Sequence, residues 1–216
     1  MRLSILLTII LLAIHGINGF AQNFAGDSKT IMIYKEFQPA SIELNNGNVI
    51  KEKHANVFLK NGKLLYKGKN NTIMQANMRN IKSVCFADRE YIRIDTLLAY
   101  VIDSIGRNKL LCATLIDVDS YKSQLTNSQL VTKFDLSESF VNVTSLDDIP
   151  NKEDRSYPLV NYFFFEINDK IIRVHERDIY RVLPKNKHRI FKTMINSPQF
   201  DFGNQECLKR ILRELW

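Results

Sequence analysis

The chain has 216 residues, a net charge of +7 at neutral pH and 45 % hydrophobic residues. That is enough chain to bury a core without disulfide staples, as one large or two small domains. Four histidines and three cysteines, with no Cys pair at ligand spacing, argue against a zinc site, and eight glycines with no glycine-rich phosphate motif argue against nucleotide binding.

Residues 1–21 read as a cleavable export signal. Arg2 supplies the positive start, Leu3 to Ile14 an apolar run of 12 residues, and Gly19-Phe20-Ala21 small residues three and one before a cut ahead of Gln22. The run is shorter than the roughly 20 residues that a membrane span requires. No Cys near the cut offers a lipid attachment point; an uncleaved anchor, helped by Ile17 and Phe20, is the alternative. The expected product is an exported chain of 195 residues and charge +6, periplasmic or extracellular, with no transmembrane segment in the mature chain.

Residues 22–30 (QNFAGDSKT) read as a flexible leader. From Ile31 the chain runs through short apolar or alternating stretches bounded by turn signals, the pattern of antiparallel sheet. Strands are expected at 31–36, 40–45, 48–59, 63–67, 81–86, 90–95, 97–103, 109–116, 131–135, 139–144, 158–167 and 170–175, with a short helix at 117–125. Four of the connections repeat one device, a polar turn followed by branched residues: Asn46-Gly47, Asn61-Gly62, Gly106-Arg107 and Asn168-Asp169. Such residues accept the positive φ of tight hairpin turns. The polar stretch 145–156 is the natural internal boundary between a β region at 31–145 and a C-terminal unit at 157–216 on the same core.

In that last unit the hydrophobic period changes from 2 to 3.6. Ile179, Val182 and Leu183 share a helical face; Pro184 opens a second helix with Ile190, Phe191, Met194 and Ile195 as its stripe. Asn204 is a helix N-cap ahead of Cys207, Leu208, Ile211, Leu212 and Leu215. The fold class is therefore α+β, mostly β: an antiparallel meander, sandwich-like or roll-like, packed with C-terminal helices.

Of the three cysteines, Cys85, Cys112 and Cys207, at least one is unpaired, and all three sit in apolar runs that favour buried thiols. A Cys85–Cys112 disulfide is the alternative for that pair. The lysines are scattered through alternating strands as on a solvated sheet face; the local basic cluster is Lys185, Lys187, His188 and Arg189. Export makes nucleic acid a poor partner for it, and an acidic glycan a better one.

No reaction is written in the motifs. His175-Glu176 begins like the zinc-protease H-E-x-x-H, but Ile179 stands where the second His belongs. His175 reads instead as the end of a strand that caps the following helix. Asp117-Val-Asp119 starts like a calcium loop, but Lys122 and Ser128 replace its required Gly and Glu. No cofactor and no metal is expected, and no catalytic residue can be named. Paired carboxylates leave no local motif, so Asp88, Glu90, Asp95, Asp103, Glu166 and Asp169 stay candidates for a hydrolase site. Aromatic residues crowd the stretch Tyr157 to Phe165; alternation puts Tyr162 and Phe164 on one face, Phe163 and Phe165 on the other. The strand is central and buried, or else Tyr162 and Phe164 form a ligand platform.

The segments N-V-F-L-K-N-G-K-L-L-Y-K, M-Q-A-N-M-R-N-I-K-S-V and Y-I-R-I-D between Lys35 and Tyr121, and the later H-E-R-D-I-Y-R-V-L-P, resemble exported proteins of Gram-negative, gut-type bacteria that carry no assigned function. The resemblance implies a periplasmic or surface setting and transfers no catalytic residue. The leading expectation is a non-enzymatic binding or structural module of the cell envelope, with an envelope protein or a glycan as partner. The alternatives are an envelope hydrolase with paired carboxylates and an adaptor that holds acidic glycans through Lys185, Lys187 and Arg189.

Overall fold

The computed structural model describes residues 22–127 and 156–216. These form one antiparallel sheet of eleven strands with helices at its C-terminal end. The strands are β1 (Gln22–Ser28), β2 (Gln38–Leu44), β3 (Val49–Val57), β4 (Leu64–Lys67), β5 (Ile73–Gln75), β6 (Ile81–Cys85), β7 (Glu90–Ile94), β8 (Leu97–Ile105), β9 (Asn108–Ile116), β10 (Tyr157–Ile167) and β11 (Lys170–Arg173). The helices are α1 (Val118–Asn127), α2 (Glu176–Val182), α3 (His188–Ile195) and α4 (Gln205–Leu215). The sheet order is β1-β10-β9-β8-β7-β6-β2-β3-β4-β5, with β11 beside the second half of β10. Two meanders, β2 to β5 and β6 to β11, are thus joined where β2 pairs with β6.

The four turn devices sit where the sequence places them. Gly47, Gly62 and Gly106 hold φ of +83°, +69° and +58°, and Asn168 and Asp169 hold +48° and +63°. Gly62 also makes the sheet roll. Its carbonyl accepts from Leu98 N at 2.8 Å, the neighbouring Leu59 carbonyl accepts from Ile116 N at 2.9 Å, and a Cβ on Gly62 would lie 2.7 Å from that of Leu97. The β3–β4 turn is therefore carried back onto the ends of β8 and β9, and only a residue without a side chain fits there.

The concave face is covered in two parts. Over β9 to β11, Leu110, Cys112, Phe163, Phe165 and Ile172 meet Ile179 and Leu183 around α2, Phe191 and Met194 of α3, and Leu208, Ile211, Leu212 and Leu215 of α4. Within the rolled β2–β8 half, Ala55, Val57, Leu64, Ile81, Val84, Tyr91 and Leu98 form a second core. Tyr100 lies against both. The helix caps follow the sequence: His175 Nδ1 accepts from Arg177 N at 3.2 Å, and Asn204 Oδ1 accepts from Glu206 N at 2.9 Å.

Several expectations are corrected. Residues 22–28, read as part of a leader, are β1 and pair with β10. The stretch 31–36 is no regular strand: it makes the isolated bridge Met32–Phe58 and is drawn across the sheet by Ile33 N donating to Val57 O. β5 is a further strand with no sequence signal, because its Ile73-Met74-Gln75 is too short to show a period. Val182 and Ile190, placed on buried stripes, are exposed, since Ile179, Leu183, Phe191 and Met194 already fill that core. Cys112 is buried but Cys85 is exposed, and all three thiols are free. Cys85 and Cys112 stand three strand spacings apart, about 14 Å, twice the roughly 7 Å that a disulfide spans between Cα atoms. The expected strands at 131–135 and 139–144 and most of the polar boundary 145–156 lie outside the described residues, as does the export signal.

Candidate functional site

Between the helix-covered half of the concave face and the rolled half lies a cleft of about 430 Å³ lined by Ile33, Tyr34, Asp88, Arg89, Tyr100, Thr114, Leu159 and Asn161. That size falls within the range of small-molecule pockets. Its floor comes from β8, β9 and β10, whose Tyr100 stands opposite Cys112 and whose Thr114 stands opposite Asn161. One wall is the 31–36 crossing segment. The other is the tight β6–β7 turn, closed by Phe86 N donating to Arg89 O at 2.9 Å, which projects Asp88 and Arg89.

The crossing segment is pinned by one buried side chain. Asn56 Oδ1 accepts from Tyr34 N at 3.1 Å and Val57 N at 2.8 Å, and its Nδ2 donates to Tyr34 O at 2.9 Å and Glu36 O at 3.3 Å. Asn56 thus takes the role a neighbouring strand would play and fixes Tyr34 over the cleft. The Tyr34 hydroxyl donates to Asp88 Oδ1 at 2.7 Å, while Asp88 Oδ2 meets Arg89 Nε at 3.2 Å. The guanidinium carbon of Arg89 lies 5.1 Å from the centre of the Tyr100 ring, a cation–π distance. Tyr34, Phe86, Tyr91 and Tyr100 form a chain of rings with centroids 4.7, 5.6 and 6.1 Å apart.

Burial and the donated bond to Asp88 hold the Tyr34 hydroxyl protonated far above the ordinary tyrosine range. Burial likewise raises Tyr91 and Tyr100, the latter helped by Cys112, and it pushes the Cys112 thiol up to about 11. The site therefore holds neutral hydroxyls as hydrogen-bond donors and no activated thiol or phenolate. The buried Tyr91 hydroxyl sits near Tyr34 and Arg89, makes no well-aligned hydrogen bond and does not line the cleft. One polar group is left for an occupant. Asn161 Oδ1 accepts from Thr114 Oγ1 at 2.6 Å, and no partner for its Nδ2 donors occurs among the described residues.

The residues singled out from sequence lie elsewhere. Tyr162 and Phe164 are half-buried on the opposite face of β10, over Ala99, Leu111 and Ala113, while Phe163 and Phe165 lie under the helices. Lys187 donates to the Glu214 carbonyl at the end of α4 at 2.9 Å, so it serves a helix C-terminus; Lys185 and Arg189 are exposed. Of the carboxylates, Asp88 belongs to the cleft, Asp103 pairs with Arg213 at 2.8 Å, and Asp95 and Asp169 sit in turns with positive φ. Glu90 and Glu166 approach one another on the outer face, but Lys109 lies between them, 3.6 and 3.8 Å away, in the space a scissile bond would need. No group of three metal-ligating side chains is present among the described residues.

Of the cleft residues only Asp88 stands out in the sequence, as one of six dispersed carboxylates, and nothing there joins it to Tyr34, Arg89 or Tyr100. The available signal is the pair Asp88-Arg89 in a turn directly before β7, whose second residue is Tyr91. Comparison with known proteins finds no matching family, no matching curated protein and no matching solved structure.

Proposed function

We propose that the protein is a non-enzymatic binding module of the bacterial cell envelope, and that its cleft holds a small, uncharged polar ligand of the saccharide type. The observation that carries this reading is the cluster Tyr34–Asp88–Arg89–Tyr100, which places a carboxylate acceptor, a guanidinium donor and an aromatic face in one opening. Asp88 offsets the charge of Arg89, so the cleft offers no net field to a strongly anionic ligand. A sugar ring matches the rest: its C–H face lies on the Tyr100 or Tyr34 ring, and its hydroxyls reach Asp88, Arg89 and Asn161. The tyrosines are neutral and the Cys112 thiol is buried and protonated, which suits binding more than covalent chemistry. The export signal read in residues 1–21 supports the envelope setting.

The test is calorimetric titration with a panel of neutral oligosaccharides, including those of N-acetylglucosamine, on the parent chain and on Arg89→Ala and Asp88→Asn. Both side chains are about half exposed, so the fold survives their loss. The reading expects at least one panel member to bind, and its affinity to fall about tenfold or more in each variant, the loss of one charge-assisted hydrogen bond. Affinity unchanged in both variants would place the ligand elsewhere, and no binding across the panel would remove the saccharide assignment.

A further inference from the structure

A second surface, made of residues other than those that line the cleft, surrounds the turn between α2 and α3. We infer that this surface docks on anionic phospholipid. Between residues 170 and 192 the chain carries eight Lys and Arg against two acidic residues. Both acids are already engaged: Glu176 with Lys192 at 2.5 Å and Asp178 with Arg181 at 3.4 Å. Arg177, Lys185 and Arg189 are exposed and make no ion pair among the described residues, so positive charge is left in excess.

Apolar side chains accompany that charge. Tyr180, Val182 and Ile190 are 37, 43 and 40 % exposed, although the helices they belong to have a core to face. The two helices lie side by side, with the Tyr180 and His188 rings 3.9 Å apart and Lys192 Nζ 5.4 Å from the Tyr180 centroid. The short 3-10 turn Lys185–Lys187 links them, so Val182 and Ile190 flank the same turn that presents Lys185 and Arg189. A soluble acidic glycan would be met by the charges alone. Exposed aliphatic residues among the cations match the boundary between headgroups and acyl chains, where an amphipathic surface buries its apolar side and pairs its basic side with phosphates. No described helix is long and apolar enough to cross a membrane.

The test is sedimentation of the full chain with vesicles of phosphatidylcholine alone and of two parts phosphatidylcholine to one part phosphatidylglycerol. The ratio between the two vesicle types cancels any apolar contribution of residues 1–21. Docking predicts preferential, salt-sensitive binding to the anionic vesicles. It also predicts that Lys185→Glu with Arg189→Glu weakens that binding about tenfold or more, and that Val182→Ser with Ile190→Ser weakens it several-fold. All four positions are exposed, so both variants are expected to keep the parent circular dichroism. Equal binding to both vesicle types, or anionic binding that neither double variant changes, would overturn the inference. So would retention on a heparin resin that is lost in the charge variant while the serine variant sediments with anionic vesicles like the parent; that result would assign the surface to acidic glycans.

Discussion

Replacing Asn56 with Ala tests whether one buried amide builds the cleft wall. The side chain is completely buried and makes four hydrogen bonds to the backbone of Tyr34, Glu36 and Val57. A neutral hydrogen bond contributes about 1 kcal/mol net, and each backbone group left buried and unpaired costs about 1–3 kcal/mol. Water reaches the half-exposed crossing segment and relieves part of that cost. The expected loss is therefore about 3–4 kcal/mol, a large share of the roughly 5–15 kcal/mol that stabilises a typical domain. Equilibrium urea unfolding at 25 °C reads it as a midpoint lowered by about 1–2 M at unchanged slope. Hydrogen exchange adds a local signature: the amides of Tyr34 and Val57 lose protection ahead of the β8–β9 amides. Asn56→Asp, which keeps shape and acceptor but turns an oxygen toward the Tyr34 and Glu36 carbonyls, is expected to do at least as much damage at neutral pH. A loss below about 1 kcal/mol for both variants, with protection at Tyr34 intact, would refute the assigned role of this side chain.

Three further outcomes follow from the same geometry. Under native conditions a maleimide followed by mass spectrometry should label the exposed Cys85, slowly because partial burial and Glu90 hold its thiol above the ordinary range, and leave Cys112 unmodified until the chain unfolds, because Cys112 is buried with its thiol pushed up to about 11. Gly62→Ala combines a φ of +69° with a 2.7 Å approach to Leu97 and should cost about 2–4 kcal/mol in thermal unfolding, whereas Gly106→Ala, with a φ of +58° and open space, should cost only about 1 kcal/mol. Asp117 caps α1 by accepting from Ser120 N at 3.0 Å and Ser120 Oγ at 2.7 Å, which holds its carboxyl below the usual range. A lowered folded-state value contributes stability above the unfolded pKa of about 4, and that contribution is lost as pH falls through the folded value. Asp117→Ala should therefore cost about 1 kcal/mol at pH 7, with the gap to the parent narrowing in acid; a gap that stays constant from neutral pH into acid would show that the carboxylate charge plays no part.

What could be read from the chain beforehand was its local chemistry. The Asn-Gly and Asn-Asp turns demand positive φ wherever they occur, and Asn204 and His175 cap helices with hydrogen bonds two residues away. The alternation of Tyr162, Phe163, Phe164 and Phe165 fixed which rings share a face before any partner strand was known. Long-range pairing was hidden. β1 looks like a tail because its partner β10 begins beyond residue 150, and nothing in QNFAGDS announces that edge. The cleft was hidden for the same reason: Tyr34, Asp88–Arg89, Tyr100, Thr114 and Asn161 belong to five separate stretches brought together by sheet order. Asn56 reads as an ordinary polar position in an alternating strand. Its importance comes from a crossing segment that lacks a ladder of its own. Cys85 sits in an apolar run that reads as buried on both sides, whereas β6 turns Ile81 and Val84 inward and leaves Cys85 exposed.

Side-chain NMR of the protein titrated with the same neutral oligosaccharides shows whether the Tyr34–Asp88–Arg89–Tyr100 cleft is the binding site. The arginine Nε–H, asparagine amide and tyrosine ring signals report the site itself. A sugar bound in the cleft should shift the Arg89 Nε–H, the Asn161 amide and the Tyr34 and Tyr100 ring signals together and with one dissociation constant, while Tyr162 on the opposite face stays unmoved. Shifts confined to Tyr162 and Phe164, or to the α2–α3 turn, with the cleft signals unchanged at saturation, would contradict it.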